Sequence, residues 1–400
     1  MFKSGDRIFV PGASGEPTAL VQRIFGADVH VTTSFLPGVN ALNAATFGDD
    51  TRVSGLFMQR PLAAAQRDGR FRHLPLSYAA MLKYLREGAP FDVCVVQVTP
   101  PDNAGRCWLG PSAEFTPEVL RRARRIVAVL NPRVPAIVNG QSIAFDRIDE
   151  AVEADTPLAG YGAGKPDPVA TAIAGHIASL IGDGAAIQVG LGKIPGILME
   201  QLHDRRRLRL HSGMFSDGVM TLAAAGALDS DWAHTTTAIL GSERLYDWAA
   251  SRRDIHVRGV EYTHDPARLA GLAGLVAVNS ALEVDLFGQC NLEIADGSGI
   301  SGAGGAPDFA RGARLAPGGI SVIALPATFG RDQSRISAQL GAPMMASLAR
   351  TDVDVVVTEH GLADLRGLSV HERAEALIAI AAPSARAELI DRWREIAARL

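Results

Sequence analysis

Cysteine is scarce in this chain. Cys94, Cys107 and Cys290 are the only three in 400 residues, odd in number and without C-x-x-C spacing. That excludes a disulfide framework and a cysteine zinc site, and it predicts a reduced, cytoplasmic protein. The histidines show no H-x-H or H-x-x-x-H spacing, so no metal is expected. Neither sign of charge dominates: the net charge is −4, which excludes the strongly basic face of a nucleic-acid binder. No apolar run approaches the roughly 20 residues of a membrane span, and the first residues, Met1-Phe2-Lys3-Ser4-Gly5-Asp6, carry no secretory apolar region. A nucleic acid and a membrane are therefore not expected as partners. The lysine-serine pair of a Walker loop and the G-x-S-x-G elbow of a serine hydrolase are both missing.

What is present is an apolar fraction of 47% spread over a chain too long for one hydrophobic core, so two domains are expected. The stretch Ile187 to Met220 organises the reading. An apolar run (Ile187 to Val189) breaks at Gly190-Leu191-Gly192, passes Pro195 and continues into a helical pattern. A second strand-like run (Leu208, Leu210) then opens into Ser212-Gly213 and Ser216-Asp217-Gly218. Strand, glycine turn, helix, strand and polar loop build a pocket floor in α/β enzymes.

The N-terminal half repeats this pattern: Asp6, an apolar strand, Gly12, Pro17 and Leu20 parallel Asp183, Gly190, Pro195 and Leu198. A second resemblance pairs Phe91–Val96 with Val353–Val357. Both point to a duplication. Short β-branched runs (Ile126–Leu130, Leu275–Asn279, Ile320–Leu325, Val353–Thr358) alternate with helical patterns, favouring mostly parallel sheets. The turn-rich segment Pro157–Pro168 reads as the linker, giving expected domains 1–160 and 161–400, the second carrying most of the loops with chemistry.

Five loops qualify: Gly190–Pro195, His211–Gly218, Glu261–Pro266, Glu283–Gln289 running on to Gly299–Phe309, and Thr358–Leu365. Glycine-dense backbone at Gly299–Gly305 can wrap a thioester or phosphate with main-chain donors, or can be a flexible surface loop. Gly190-x-Gly192 lacks the third glycine of a dinucleotide fingerprint. His264 and His360 each adjoin a carboxylate, a position that serves general-base or purely structural roles. Glu283 and Asp285 share one face of a strand and need partners if buried.

In their order and spacing, these loops resemble the acetyl-CoA hydrolase/transferase family, the single-chain branch of the class I CoA-transferases with 4-hydroxybutyrate CoA-transferase-like members. The motifs are G-L-G-K-I-P, M-F-S-D-G-V, E-V-D-L-x-G-Q, S-G-x-G-G-x-x-D-F-x-R-G-A and T-E-H-G-L-A-D-L-R-G. The resemblance implies two related open α/β domains with the active site between them, a homodimer, no resident cofactor, and coenzyme A as substrate or product beside a small carboxylic acid. It further implies a CoA-thioester site formed by Gly190, Gly192, Lys193, Ile194 and Pro195. Gly302, Gly304, Gly305, Asp308 and Phe309 would contribute to it, as would Glu359, His360 and Gly361.

The resemblance also implies a glutamate that attacks the acyl-CoA and passes through a glutamyl-CoA thioester. That glutamate stands in H-T-E-M-F-S-D-G; here the motif reads His211-Ser212-Gly213-Met214-Phe215-Ser216-Asp217-Gly218. Its position is Gly213. The E-x-x-N-[HD]-P element appears as Glu261-Tyr262-Thr263-His264-Asp265-Pro266, with an imidazole in place of a neutral amide. Three readings follow. Water could act with His264 as general base, hydrolysing a thioester or cleaving an oxoacyl-CoA. Another carboxylate (Glu243, Glu261 or Glu283) could serve as nucleophile for CoA transfer. Or the chain could bind acyl-CoA without turnover.

Overall fold

The computed structural model describes residues 1–330 and 332–400. Two sheets dominate. The first contains β1 (Arg7–Val10), β2 (His30–Thr33), β3 (Arg52–Gly55), β4 (Phe71–His73), β5 (Val93–Val98), β6 (Arg125–Leu130) and β7 (Glu150–Glu153). The second contains β8 (Ala186–Val189), β9 (Arg209–Phe215), β10 (His234–Ile239), β11 (Ile255–Val257), β12 (Leu275–Ser280), β13 (Ile320–Ala324), β14 (Val355–Thr358) and β15 (Gly361–Asp364).

Their spatial orders are β4-β3-β2-β1-β5-β6-β7 and β11-β10-β9-β8-β12-β13-β14-β15. The second repeats the first and adds β15, which pairs antiparallel with β14. All other pairings in the two sheets are parallel. The fold is thus two related open α/β units, as the sequence pattern predicts. We propose that they divide at residues 160 and 161, inside a stretch (154–167) without helix or strand.

The Asp6–Leu20 and Asp183–Leu198 segments hold equivalent positions, each spanning the first strand of its sheet and the turn after it. The second resemblance fails. β5 is the counterpart of β12, next to the first strand, whereas β14 matches the position of β7. The reason is physical: β5 and β14 are both fully buried, and strands covered on both faces read as interchangeable β-branched runs.

Helices follow local rules. The helix α1 (Tyr78–Glu87) starts where Ser77 accepts the Ala80 N–H and turns Tyr78, Met81, Leu82 and Leu85 inward, the spacing of one helical face. A second, α2 (Lys193–Gln201), begins after Gly192, whose φ of 139° suits glycine alone. The one-turn α3 (Val260–Thr263) and the ten-residue α4 (Ala306–Leu315), with Pro307 in its first turn, complete the set needed below.

The units are joined by backbone and side chain. The Met58 N–H donates to Ser301 O (3.0 Å), Tyr78 N–H to Gly304 O (3.1 Å), Ala113 N–H to Thr237 O (2.9 Å) and Val260 N–H to Glu114 O (2.9 Å). All three cysteines are free and buried. No helix among the described residues is long and apolar enough to cross a membrane.

Candidate active site

In an open parallel sheet, ligands gather at the carboxyl ends of strands where the chain direction switches sides. In the second sheet that point lies between β8 and β12. Two polar residues interrupt these apolar strands, Gln188 and Asn279, both buried. Their amides pair reciprocally at 3.3 and 3.4 Å, leaving each with one further N–H.

A cavity of about 280 Å³ opens above them. Gly190, Leu191, Gly213, Met214 and His264 line one side, and Ser301 and Ala303–Ala306 with Phe309 another. Leu36, Pro37, Phe57 and Tyr78 close it from the N-terminal unit. The site lies between the two units.

His264 is the chemically distinctive wall. It ends α3 at 2% exposure, its ring 4.9 Å from Tyr78 and 4.7 Å from Phe309, centroid to centroid. Its Nδ1 lies 2.9 Å from Thr263 Oγ1, and the Thr263 hydroxyl donates to Gly259 O at 3.3 Å. In the tautomer that donates Nδ1–H to Thr263 Oγ1, Nε2 keeps its lone pair. Nε2 faces the two glycines. A Cβ at Gly305 would lie 2.5 Å from it, too close to fit, whereas one at Gly213 would lie 3.5 Å away, in ordinary contact.

Burial pushes the His264 pKa down to about 3, with a smaller contribution from neighbouring His211. His211, whose Nε2 meets Thr263 O at 2.9 Å, is lowered by burial to about 4. Both imidazoles are therefore neutral at neutral pH. Gly213 itself is held by its carbonyl, which accepts the hydroxyls of Thr236 and Thr237.

Of the other sequence-predicted residues, Gly302, Gly304, Gly305 and Asp308 form the seam between units. A Cβ at Gly302 would strike Leu56 O at 2.2 Å. Asp308 accepts Ser77 Oγ–H (2.7 Å) and Ala79 N–H (2.9 Å), tying α4 to the first turn of α1. Gly192, Lys193, Ile194 and Pro195 face a second, outer cleft of about 510 Å³, also lined by Ser280 and Pro326. There Lys193 Nζ pairs with Asp167 at 2.6 Å. The loop Gly190–Lys193 is the partition between cavity and cleft.

The remaining candidates lie apart from the cavity. Glu261 turns toward Arg121, 3.8 Å away, and Glu283 pairs in a small strand with Asn291. Glu243 opens an outer helix beside Arg133 and Tyr246. Glu359 accepts the Ala327 N–H at 2.8 Å and with His360 forms the turn between β14 and β15, which Gly361 begins.

Sequence reasoning missed Tyr78, Gln188, Asn279 and Glu114. Glu114, fully buried, accepts hydrogen bonds from Ser34 Oγ (2.9 Å) and Tyr78 Oη (3.2 Å), and burial raises its pKa to about 7. Gln188 and Asn279 had a readable signal, an amide inside a buried apolar strand. Tyr78 and Glu114 had none.

Sequence profiles of the acetyl-CoA hydrolase/transferase N-terminal domain match residues 1–159, and those of the C-terminal domain match residues 241–393. The chain is 35% identical to the 4-hydroxybutyrate coenzyme A transferase of Clostridium kluyveri, over 86% of this chain and 82% of that protein. It belongs to the acetyl-CoA hydrolase/transferase family. Another family relative, the succinyl-CoA:cyclohexane-1-carboxylate CoA transferase of Geobacter metallireducens, is 31% identical over 98% of this chain and 93% of its own. The crystal structure of RipA from Yersinia pestis superposes with a TM-score of 0.89 at 28% identity, covering 99% of this chain and 95% of RipA. The chain is accordingly an enzyme of the acyl-CoA hydrolase/CoA-transferase class.

Proposed function

We propose that this enzyme hydrolyses an acyl-CoA thioester, or cleaves an oxoacyl-CoA, with water in place of a glutamyl-CoA intermediate. The observation that carries the reading is the juxtaposition at Gly213: a position without a side chain, opening on the free Nε2 of a buried, neutral His264. In hydrolysis, water in that gap gives a proton to Nε2 as its oxygen bonds to the thioester carbonyl carbon. The C–S bond then breaks, and the imidazolium returns the proton to the departing sulfur, yielding free acid and coenzyme A.

The low pKa makes His264 a weak base in the resting site. Its charged form becomes favourable only while the carbonyl oxygen beside it carries negative charge, because oppositely charged neighbours attract strongly where water is excluded. Gln188 and Asn279, which line the cavity, each keep a spare amide N–H as a donor for that oxygen. No further cofactor enters this scheme; its partners are an acyl-CoA and the carboxylic acid released.

CoA transfer through another carboxylate is less well supported, because Glu243, Glu261 and Glu283 do not line the cavity and acyl transfer tolerates little misplacement. Release of free thiol from acyl-CoAs tests the proposal. His264→Ala is expected to lower kcat by about 100-fold or more, with folding checked by thermal melting; full activity in this variant would remove His264 as the base. Gly213→Glu, whose Cβ fits without a clash, is expected to trade thiol release for CoA exchange with acetate. A glutamyl-CoA adduct visible by mass spectrometry should accompany that change.

A further inference from the structure

We infer that the acyl group carried by the CoA ester is uncharged, compact and mainly aliphatic or alicyclic, and that acyl groups bearing a second carboxylate are rejected. The inference rests on the proposed reading in one respect, that the reacting carbonyl sits at Gly213. The remaining argument comes from the cavity. Among the described residues neither lysine nor arginine lines it, and its titratable imidazole is neutral.

Its apolar lining, drawn from all sides, includes Leu36, Pro37, Phe57, Met214 and Phe309. A terminal carboxylate there would lose its hydration without gaining a cation. The cost of such a transfer is large unless the charge is paired or the group takes up a proton. The amides of Gln188 and Asn279 are already paired with each other, so they offer single hydrogen bonds and no charge.

Size acts in the same direction. At about 280 Å³ the cavity lies just under the ~300 Å³ at which pockets for drug-sized ligands begin, enough for a short chain or a single ring but not for a long fatty chain. The missing side chain at Gly213 contributes part of that room. The Lys193–Asp167 ion pair faces the outer cleft on the other side of the Gly190–Lys193 partition. It cannot neutralise a charge on the inner side.

The experiment uses the intact wild-type protein and reads binding separately from turnover. Dissociation constants for butyryl-CoA, cyclohexanecarbonyl-CoA, succinyl-CoA and palmitoyl-CoA are measured by calorimetry, and thiol release from each is followed in parallel. The neutral compact esters are expected to bind at least 30-fold more tightly than succinyl-CoA, with palmitoyl-CoA also disfavoured. If that order holds while no ester is hydrolysed, the acyl class stands and the hydrolytic reading fails. If succinyl-CoA binds as well as butyryl-CoA, the inference fails whatever the turnover. Met214→Lys, a change on a half-buried cavity residue, is expected to narrow the gap between the two at least tenfold. An unchanged gap would take the acyl group out of this cavity.

Discussion

The two sheets share one strand order, yet their switch points are treated in opposite ways. In the first sheet the turn after β1 is filled by protein. The Gly12 N–H donates to Ser34 Oγ (2.9 Å), Ala13 N–H to Asn40 Oδ1 (2.8 Å), and the Ser34 hydroxyl donates a hydrogen bond to Glu114 Oε2 (2.9 Å). In the second sheet the matching turn, Gly190–Lys193, separates a cavity from a cleft. One copy of the motif satisfies its polar groups internally and is scaffold; the other borders the candidate site. The two copies share a strand order and differ in what occupies the turn after the first strand.

Three measurements would break or sharpen that contrast. The largest effect is expected from Gly12→Ala, because the new Cβ would lie 2.4 Å from the Ser34 backbone oxygen. Backbone cannot yield as a flexible side chain does, so a loss of about 3 kcal/mol or more is expected in denaturant unfolding. A loss under about 1 kcal/mol would mean that the first switch point is not closely packed.

The next concerns pH. Burial raises the Glu114 pKa from 4.5 to about 7, so the fold favours its protonated form. That contribution is complete below about pH 4.5 and disappears as pH rises through 7, a change on the order of 3 kcal/mol. Glu114→Gln should remove it, making the variant more stable relative to wild type at pH 8 than at pH 4. The second unit has the reverse sign: its depressed histidines, His211 and His264, contribute stability above about pH 6.5 that is lost as pH falls through about 4 and 3. Parallel pH profiles for wild type and Glu114→Gln would contradict this division.

The smallest stability effect is expected at Gly190→Ala, where an added Cβ meets nothing within 4 Å. Unfolding free energy should change by less than about 0.5 kcal/mol, while the methyl group, set on the cavity wall, lowers thiol release from acyl-CoA about tenfold. Equal losses of stability at Gly12 and Gly190 would erase the distinction between scaffold and site.

Much of the fold was legible because it is written locally. The glycine turn, proline and leucine of Asp6–Leu20 recur in Asp183–Leu198, and parallel strands show as β-branched runs. Gly213 and His264 stood out by departing from a motif, and the structure brings them to 3.5 Å of one another, measured from the Cβ that Gly213 lacks. Local reading failed where geometry is global. Tyr78 reaches His264 from the other unit, and Glu114 joins Ser34 and Tyr78 from three separate segments. Asp308, read as a ligand contact, holds the first turn of α1 across more than 200 residues of chain. Composition also could not separate β5 from β14, since burial on both faces selects the same residues.

The buried cysteines have a practical consequence at the bench. Burial raises the thiol pKa values of Cys94, Cys107 and Cys290, and all three are hidden from solvent. A chromogenic disulfide reagent added to the native enzyme should therefore report coenzyme A alone, free of background from the protein. Once the chain opens, three equivalents per molecule become reactive, and the same cuvette measures unfolding.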